Sequence, residues 1–499
     1  MNPNIIVFIA AIIAGISACG KKEQIDGGDK LVPPDPPEEQ VKTCAEAYVT
    51  TADGSRLFER LEIPFVDFVE PGQSGLVATI DPSEEYQEID GFGAALTGAS
   101  CYNLLKMTKE GRTAFLKEMF SPDEGLGVSL VRVSIGASDF SVDEEFTWCD
   151  EEGIDNFAIH KEDRDYLIPV LKEVYAINPD LKIIATPWSA PRWMKRKSTT
   201  DNSPFPSWTS GSLSPGCYDA YAEYFVRWIE TMEAEGFDIH AVTIQNEPLN
   251  KGNSMSMYMT WEEQRDFIRD ALGPAFAKAG IDAKILVFDH NYNYDGIASQ
   301  KDYPLKIFAD SGASSYVAGS AWHNYGGSPT ILSNIHASAP DKEIYFTEAS
   351  IGTWNYNFGD CLITDFKNIF LKTMQNYGKG VTLWNLVLDE NRGPYRPGGC
   401  STCYGVVTLN SSSGAIVSRQ SHYYNIAHAS KVVKPGAKRI KMSGYAPPTL
   451  TSLAFSNPDG TIALLLVNEG TSPVQIIFRD GTNIISTAVP ARSIESMAW

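Results

Sequence analysis

Positive charge is scarce in this chain. Lys and Arg number 41 against 62 Asp and Glu, a formal net charge of −21 over 499 residues. Such a surface repels phosphate backbones and anionic headgroups, which excludes nucleic acid as a partner and a charged lipid surface as a docking site. Histidine is sparse as well: 7 residues, with no H-x-H and no H-E-x-x-H. A metal-dependent hydrolase needs a cluster of His, Asp and Glu ligands, so neither metal nor cofactor is expected. Cys400 and Cys403 form a C-x-x-C with no second pair and no nearby His, which favours a local disulfide over a zinc site. No G-x-G-x-x-G follows the first strand-like run, which removes the usual dinucleotide cradle. The apolar run at 5–18 (IIVFIAAIIAGISA) is too short to cross a bilayer as a helix. What remains is ordinary globular material, 43% hydrophobic and 21% charged, long enough for one large domain and a smaller one. Nothing in it sets an oligomeric state.

The short apolar run ends in Ile16-Ser17-Ala18-Cys19, which resembles the bacterial lipobox. The resemblance implies that residues 1–18 are a cleaved signal peptide and that Cys19 carries lipid. A plain signal peptide with an incidental Cys is the alternative, because MNPN has no Lys or Arg ahead of the run. Residues 19–44 are polar and rich in Pro and Gly, a flexible tether. The expected address is that of an exported lipoprotein of the outer membrane, leaflet open, touching the membrane only through its anchor.

From residue 88 the chain alternates short apolar runs with helix-like stretches. The strand candidates are 89–95, 128–135, 181–187, 240–246, 284–289, 316–322, 343–347 and 380–386. Helical periodicity marks 102–120, 160–178, 218–235, 261–279 and 361–378. Eight such strands joined by helices predict an α/β fold, a (β/α)8 TIM barrel over 88–431; an open doubly wound sheet is the alternative. Residues 432–499 change character to alternating strands with turn clusters such as NPDG, and 45–87 hold similar runs. The two segments are expected to form one β-sandwich attached to the barrel.

A barrel keeps its active site at the C-terminal ends of its strands. Those ends carry Asp139 after the second strand, Trp188 after the third and Asn246 with Glu247 after the fourth. His323 and Tyr325 follow the sixth, Glu348 ends the seventh and Trp384 the eighth. Two carboxylates with Trp, Tyr and Asn on one rim suit the cleavage of a sugar acetal: one acid protonates the leaving oxygen, the other attacks the anomeric carbon. Core packing is the competing reading for Trp188, Trp384 and His323, and a helix cap for Asp139.

The ordered motifs GFGAALTGAS, RVSIGASDFS, ATPWSAPRWMK, TIQNEP, YFTEAS and WNLVLDE resemble glycoside hydrolase family 30 from about residue 88 to 430. The resemblance implies a retaining glycosidase with Glu247 as acid/base and Glu348 as nucleophile. It implies sugar contacts from Asp139, Trp188, Asn246, His323, Tyr325 and Trp384, and Arg132 as buried support for the nucleophile. NRGPYRPGGCSTCYGVV departs from the glucosylceramidase pattern and looks more like the β-1,6-glucanase branch, so β-1,6-glucan is the expected substrate. The alternatives are an exo-acting β-glucosidase, a β-xylosidase, a glucosylceramidase-like enzyme or a non-catalytic glycan-binding lipoprotein. Two further expectations concern the acids. Their carboxyl groups should stand about 5–5.5 Å apart, and burial with the charge of Glu348 should raise the pKa of Glu247.

Overall fold

The computed structural model describes residues 42–67, 76–444 and 446–499. The expected signal peptide, the lipidation site Cys19 and nearly all of the tether lie outside the described residues.

Eight parallel strands form the barrel: β1 (Gly91–Ala94), β2 (Leu130–Ser134), β3 (Lys182–Thr186), β4 (Ile239–Thr243), β5 (Lys284–Asn291), β6 (Val317–His323), β7 (Glu343–Glu348) and β8 (Gly378–Leu383). Each lies within or within two residues of an expected run. β2 to β8 pair in sequence order, and β8 then pairs with β1. The Leu96 amide donates to the Arg132 carbonyl, and Ala95 bridges Arg132, which joins β1 to β2.

Side chains of period two point into the barrel and stack in layers. Leu130, Ile184, Ala241, Leu286, Ala321 and Tyr345 make one apolar layer. Two residues further along their strands stand Arg132, Thr186, Thr243, His323 and Thr347, all buried. The floor of the mouth is therefore polar, resting on an apolar plug. β5 breaks the rule. Its register with β6 shifts between Phe288 and His290, and Phe288 and Asp289 take φ of +76° and +64°. This bulge turns Asp289, not Phe288, into the polar layer.

The helices follow the apolar periodicity. Tyr218–Ala234 buries Tyr221, Tyr224, Phe225, Trp228, Ile229 and Met232. The stretch expected as one helix at 102–120 is two, Gly98–Lys106 and Lys109–Phe120. Thr108 takes extended backbone there, and its hydroxyl accepts from the Gly111 amide, so it starts a new helix.

The sandwich is a nine-stranded sheet. In spatial order its strands are Glu59–Pro64, Cys44–Thr51, Ser493–Ala498, Ile462–Asn468, Leu450–Ser456, Lys438–Gly444, Leu76–Glu88, Val474–Arg479 and Ile484–Val489. A Phe65–Ile485 bridge brings its two ends together. Its core is separate from that of the barrel, with Ile80, Leu464, Phe478 and Met497 among its buried residues. N-terminal and C-terminal segments thus build one domain. His428, on the barrel's last helix Ser421–Val432, ties them by bonds of 2.8 Å to Thr50 and to Ser496.

Candidate active site

Arg132 lies at the centre of the polar floor and is 0% exposed. Its Nη1 donates to Glu348 Oε2 at 2.5 Å. Its Nη2 donates to Asn246 Oδ1 at 2.9 Å and to Asp289 Oδ2 at 2.8 Å, and Nε to Thr186 Oγ1 at 3.2 Å. A buried guanidinium must have its donors met, and here each nitrogen has a partner. Tyr325 exposes 46% of its surface, yet its hydroxyl donates to the other oxygen of Glu348 at 3.0 Å. Both oxygens of Glu348 are thereby fixed.

Glu247 is held by a different set. Its backbone is left-handed, φ +44°, and its amide donates to the Asp289 carbonyl at 3.0 Å. A glutamate in that region is strained and is kept there only by its surroundings. Asn250 Nδ2 donates to Oε2 at 2.8 Å, and His323 Nδ1 lies 3.4 Å from Oε1. The other nitrogen of His323 lies 3.1 Å from Asp289 Oδ1. Asp289 also accepts from Thr347 at 2.6 Å and from Thr243 at 2.8 Å. It is the hub that links Arg132, behind one glutamate, to His323, behind the other.

This arrangement sets the protons. For Asp289, burial pushes the carboxyl up, but the charge of Arg132 and the bonds from His323 and Thr347 outweigh it and hold it well below the usual range. For His323, burial favours the neutral ring, but the charge of Glu348, the bonds to Asp289 and Glu247 and the charge of Asp289 raise it to about 9. For Glu247, burial pushes up, yet the His323 bond, the charges of His290 and His323 and the Asn250 bond lower it to about 2. The expected rise in Glu247 is therefore reversed. An imidazolium at hydrogen-bond distance outweighs burial and the negative charge of Glu348. Asp139 shows the opposite: burial, then the charge of Glu348, raise it to about 8.

A cavity of about 340 Å³ opens over this floor. Asp139, Glu247, Glu348, Tyr325 and Trp384 line it, with Asn250, His290 and Trp354. Asp139 Oδ1 is buried with no partner among the described residues, a hydrogen-bonding position left open. Trp188 is 1% exposed and stacks on Trp384 at 5.0 Å, with the Arg132 guanidinium 4.9 Å from its ring centroid. It backs the wall, as His323 and Asn246 back the floor. Cys400 and Cys403 are joined and also line the cavity. Their loop spans the mouth: the Arg396 amide donates to the Asp139 carbonyl at 2.7 Å, and the Thr353 amide to Thr402 at 2.9 Å.

Among the described residues, Glu247, His323 and Glu348 present ligand atoms within 4.8 Å of one another, a spacing that a cation could bridge. The positive charges of Arg132 and His323 at these same oxygens oppose one. Sequence reasoning passed over Asp289, His290 and Asn250. The signal for the first two was the polar Asp-His-Asn run that closes β5.

The glycosyl hydrolase family 30 TIM-barrel domain matches residues 89–433, and the family's beta sandwich domain matches 436–497. The chain belongs to glycosyl hydrolase family 30. Within this family it is 31% identical over 464 residues to endo-1,6-beta-D-glucanase BGN16.3 of Trichoderma harzianum, covering 88% of this chain and 89% of that one. It is equally 31% identical to putative glucosylceramidase 1 of Caenorhabditis elegans, over 92% and 87% of the two chains. The solved structure of the endo-beta1,6-glucanase BT3312 is 51% identical, with a TM-score of 0.88 over 91% of this chain and 99% of that one.

Proposed function

We propose that this family 30 glycosidase is a retaining endo-β-1,6-glucanase, with Glu348 as nucleophile and Glu247 as acid/base. The observation that carries the mechanism is the spacing of the two acids. A carboxylate oxygen of each lies within 4.8 Å of the other. Inversion needs about 6.5–9.5 Å to admit a water, and retention about 5–5.5 Å between the groups.

Glu348, aimed by Arg132 and Tyr325, attacks the anomeric carbon and forms a glycosyl ester as the glycosidic bond breaks. Glu247 gives the leaving oxygen its proton. Water then attacks the ester-linked carbon, Glu247 takes a proton from that water, and Glu348 leaves as a carboxylate. At the outset Glu247 and His323, 3.4 Å apart, share one transferable proton, which the lowered Glu247 and raised His323 draw toward the imidazole. Its shift to Glu247 makes the acid and leaves a neutral imidazole. The open oxygen of Asp139 hydrogen-bonds a sugar hydroxyl. The amide hydrogens of Asn246, whose oxygen is committed to Arg132, face the 2-hydroxyl, where such bonds strengthen in the transition state. Trp384 packs the sugar face.

The β-1,6 linkage is supported by the 51% identity to BT3312 and by the disulfide loop, whose Cys400 and Cys403 line the cavity on the side where a bent chain would leave it. The glucosylceramidase relative keeps a lipid-linked glucoside as the second reading. The test is a time course of products from β-1,6-glucan, β-1,3-glucan, xylan and glucosylceramide. Gluco-oligosaccharides released early from β-1,6-glucan are expected; turnover of glucosylceramide alone overturns the assignment. The lipobox-like Ile16-Ser17-Ala18-Cys19 supports an exported lipoprotein anchored in the outer membrane. Labelling with a radioactive fatty acid, lost on Cys19→Ser, tests it.

A further inference from the structure

A second cavity, of about 580 Å³, lies beside the catalytic one. The two adjoin at Tyr325, Ser350 and Trp354, which line both. The catalytic part, about 340 Å³, is at the low end of ligand pockets, so a longer chain must extend beyond it. The second part has room for more.

Trp354 stands at the junction and is 52% exposed. Large aromatics on a soluble surface usually bury or contact something. This ring is held in place: a Cβ on Gly352 would come within 2.0 Å of it, so it lies directly against that backbone. The Thr353 amide bonds to Thr402 of the disulfide loop and fixes the segment that carries it. Around the ring the second cavity offers Asn324, Asn355 and Thr364, side chains that can bond hydroxyls. Among the described residues no Lys or Arg lines it, while Asp360 and Asp365 do. Asp360 pairs with Arg492 and Asp365 with His422, so these walls offer an anionic chain no cation of their own. A fixed aromatic face among small neutral polar groups matches the two sides of a pyranose, apolar C–H face and hydroxyl rim.

We propose that this second cavity is a distal binding site for further sugar units of the same β-glucan chain whose bond is cleaved between Glu247 and Glu348, with Trp354 as the platform. The proposal rests on the glucanase reading above. An enzyme that acts within a polymer gains from such a site, because remote binding energy can be used at the reacting bond.

The experiment compares the wild type with Trp354→Ala, Trp354→Tyr and Thr364→Trp, the last of which narrows the far cavity without altering the platform. Substrates are β-1,6-gluco-oligosaccharides of increasing length and an aryl β-glucoside. For the wild type, kcat/KM should rise with length. In Trp354→Ala the ratio of kcat/KM on the longest oligosaccharide to that on the aryl glucoside should fall about three- to tenfold. Trp354→Tyr should recover most of it, and Thr364→Trp should lower the ratio as well. An unchanged ratio in both Trp354→Ala and Thr364→Trp overturns the proposal. Should the wild type prefer another β-glucan, the linkage assignment fails by itself, and the same length series built from that glucan decides the distal site.

Discussion

The two ends of the barrel both hold clusters of charge, and they are built to opposite rules. At the N-terminal end, Asp90 takes a short bond from Lys182, one of 2.5 Å from the Tyr345 hydroxyl, and an ion pair of 3.4 Å with Lys379. Glu343 pairs with Lys379 at 2.9 Å and with Lys284 at 2.8 Å. Burial pushes Asp90 up, but the His240 bond, the Lys379 charge and the bonds of Lys182 and Tyr345 hold it well below the usual range. Two acids face three lysines there, and the cluster closes the barrel. At the mouth, Glu247, Asp289 and Glu348 share Arg132 and His323, and Asp139 lines the same cavity. Asp139 is pushed up to about 8, and one of its oxygens has no partner among the described residues. Charge that is fully matched gives stability; charge left short of partners over a rigid floor is what a substrate can complete.

The largest way to break this contrast is at the acids themselves. Glu348→Ala should lower kcat on every β-glucoside by roughly 10⁴-fold or more, with the fold intact by circular dichroism. Glu247→Gln should cost about 10²–10⁴-fold on substrates with poor leaving groups and far less on activated aryl glycosides. Equal losses on both would speak against the acid role.

The next test sets one end against the other. Asp289→Asn and Asp90→Asn each remove the charge of a buried paired acid, which should cost about 3–5 kcal/mol of stability in denaturant unfolding. Only Asp289→Asn should also reduce kcat/KM, because it frees both Arg132 and His323. A matching loss of activity in folded Asp90→Asn would erase the distinction between the two ends.

Proton balance is subtler. The raised His323 holds its proton at neutral pH and releases it as pH rises through about 9. Once it is gone, the pair has no proton to give the leaving group, so kcat/KM should fall along an alkaline limb near that pH. In His323→Gln the imidazolium no longer holds Glu247 low, and the limb becomes that of Glu247 alone. It should move toward acid in the pH–rate profile; an unmoved limb would place the proton elsewhere. The smallest effect is expected at the rim. Replacing Cys400 and Cys403 together with Ser should reduce cleavage of β-1,6-glucan a few-fold more than that of an aryl glucoside, as loop order is lost. A parallel decline would make the loop structural only.

The patterns that were legible in the sequence are those with a period. Apolar runs alternating with helical stretches set eight strands, and the same pleat that buries Leu130 and Tyr345 puts Arg132 and Thr347 one step nearer the mouth. Glu247 and Glu348 could be found because each follows an apolar strand to its C-terminal end. Trp188 and His323 were located by the same rule, but not their depth: they stand behind the cavity wall, where packing and not chain position decides what reaches the sugar.

By itself, then, the sequence determined the class of fold, the rim on which the acids sit and the pairing of Glu247 with Glu348. Tertiary structure alone decided which groups stand behind them. Asp289 enters the barrel only because a bulge with left-handed φ at Phe288 and Asp289 reverses the alternation of β5, and a period-two reading points it outward. The protonation of Glu247 follows from that turn. Asp289 holds His323 in place, His323 holds Glu247 low, and the balance depends on a few ångströms between charges brought together from β2, β4, β5, β6 and β7. Coulomb energy depends on distance in space and on the surrounding dielectric, and neither is written in the order of residues along a chain.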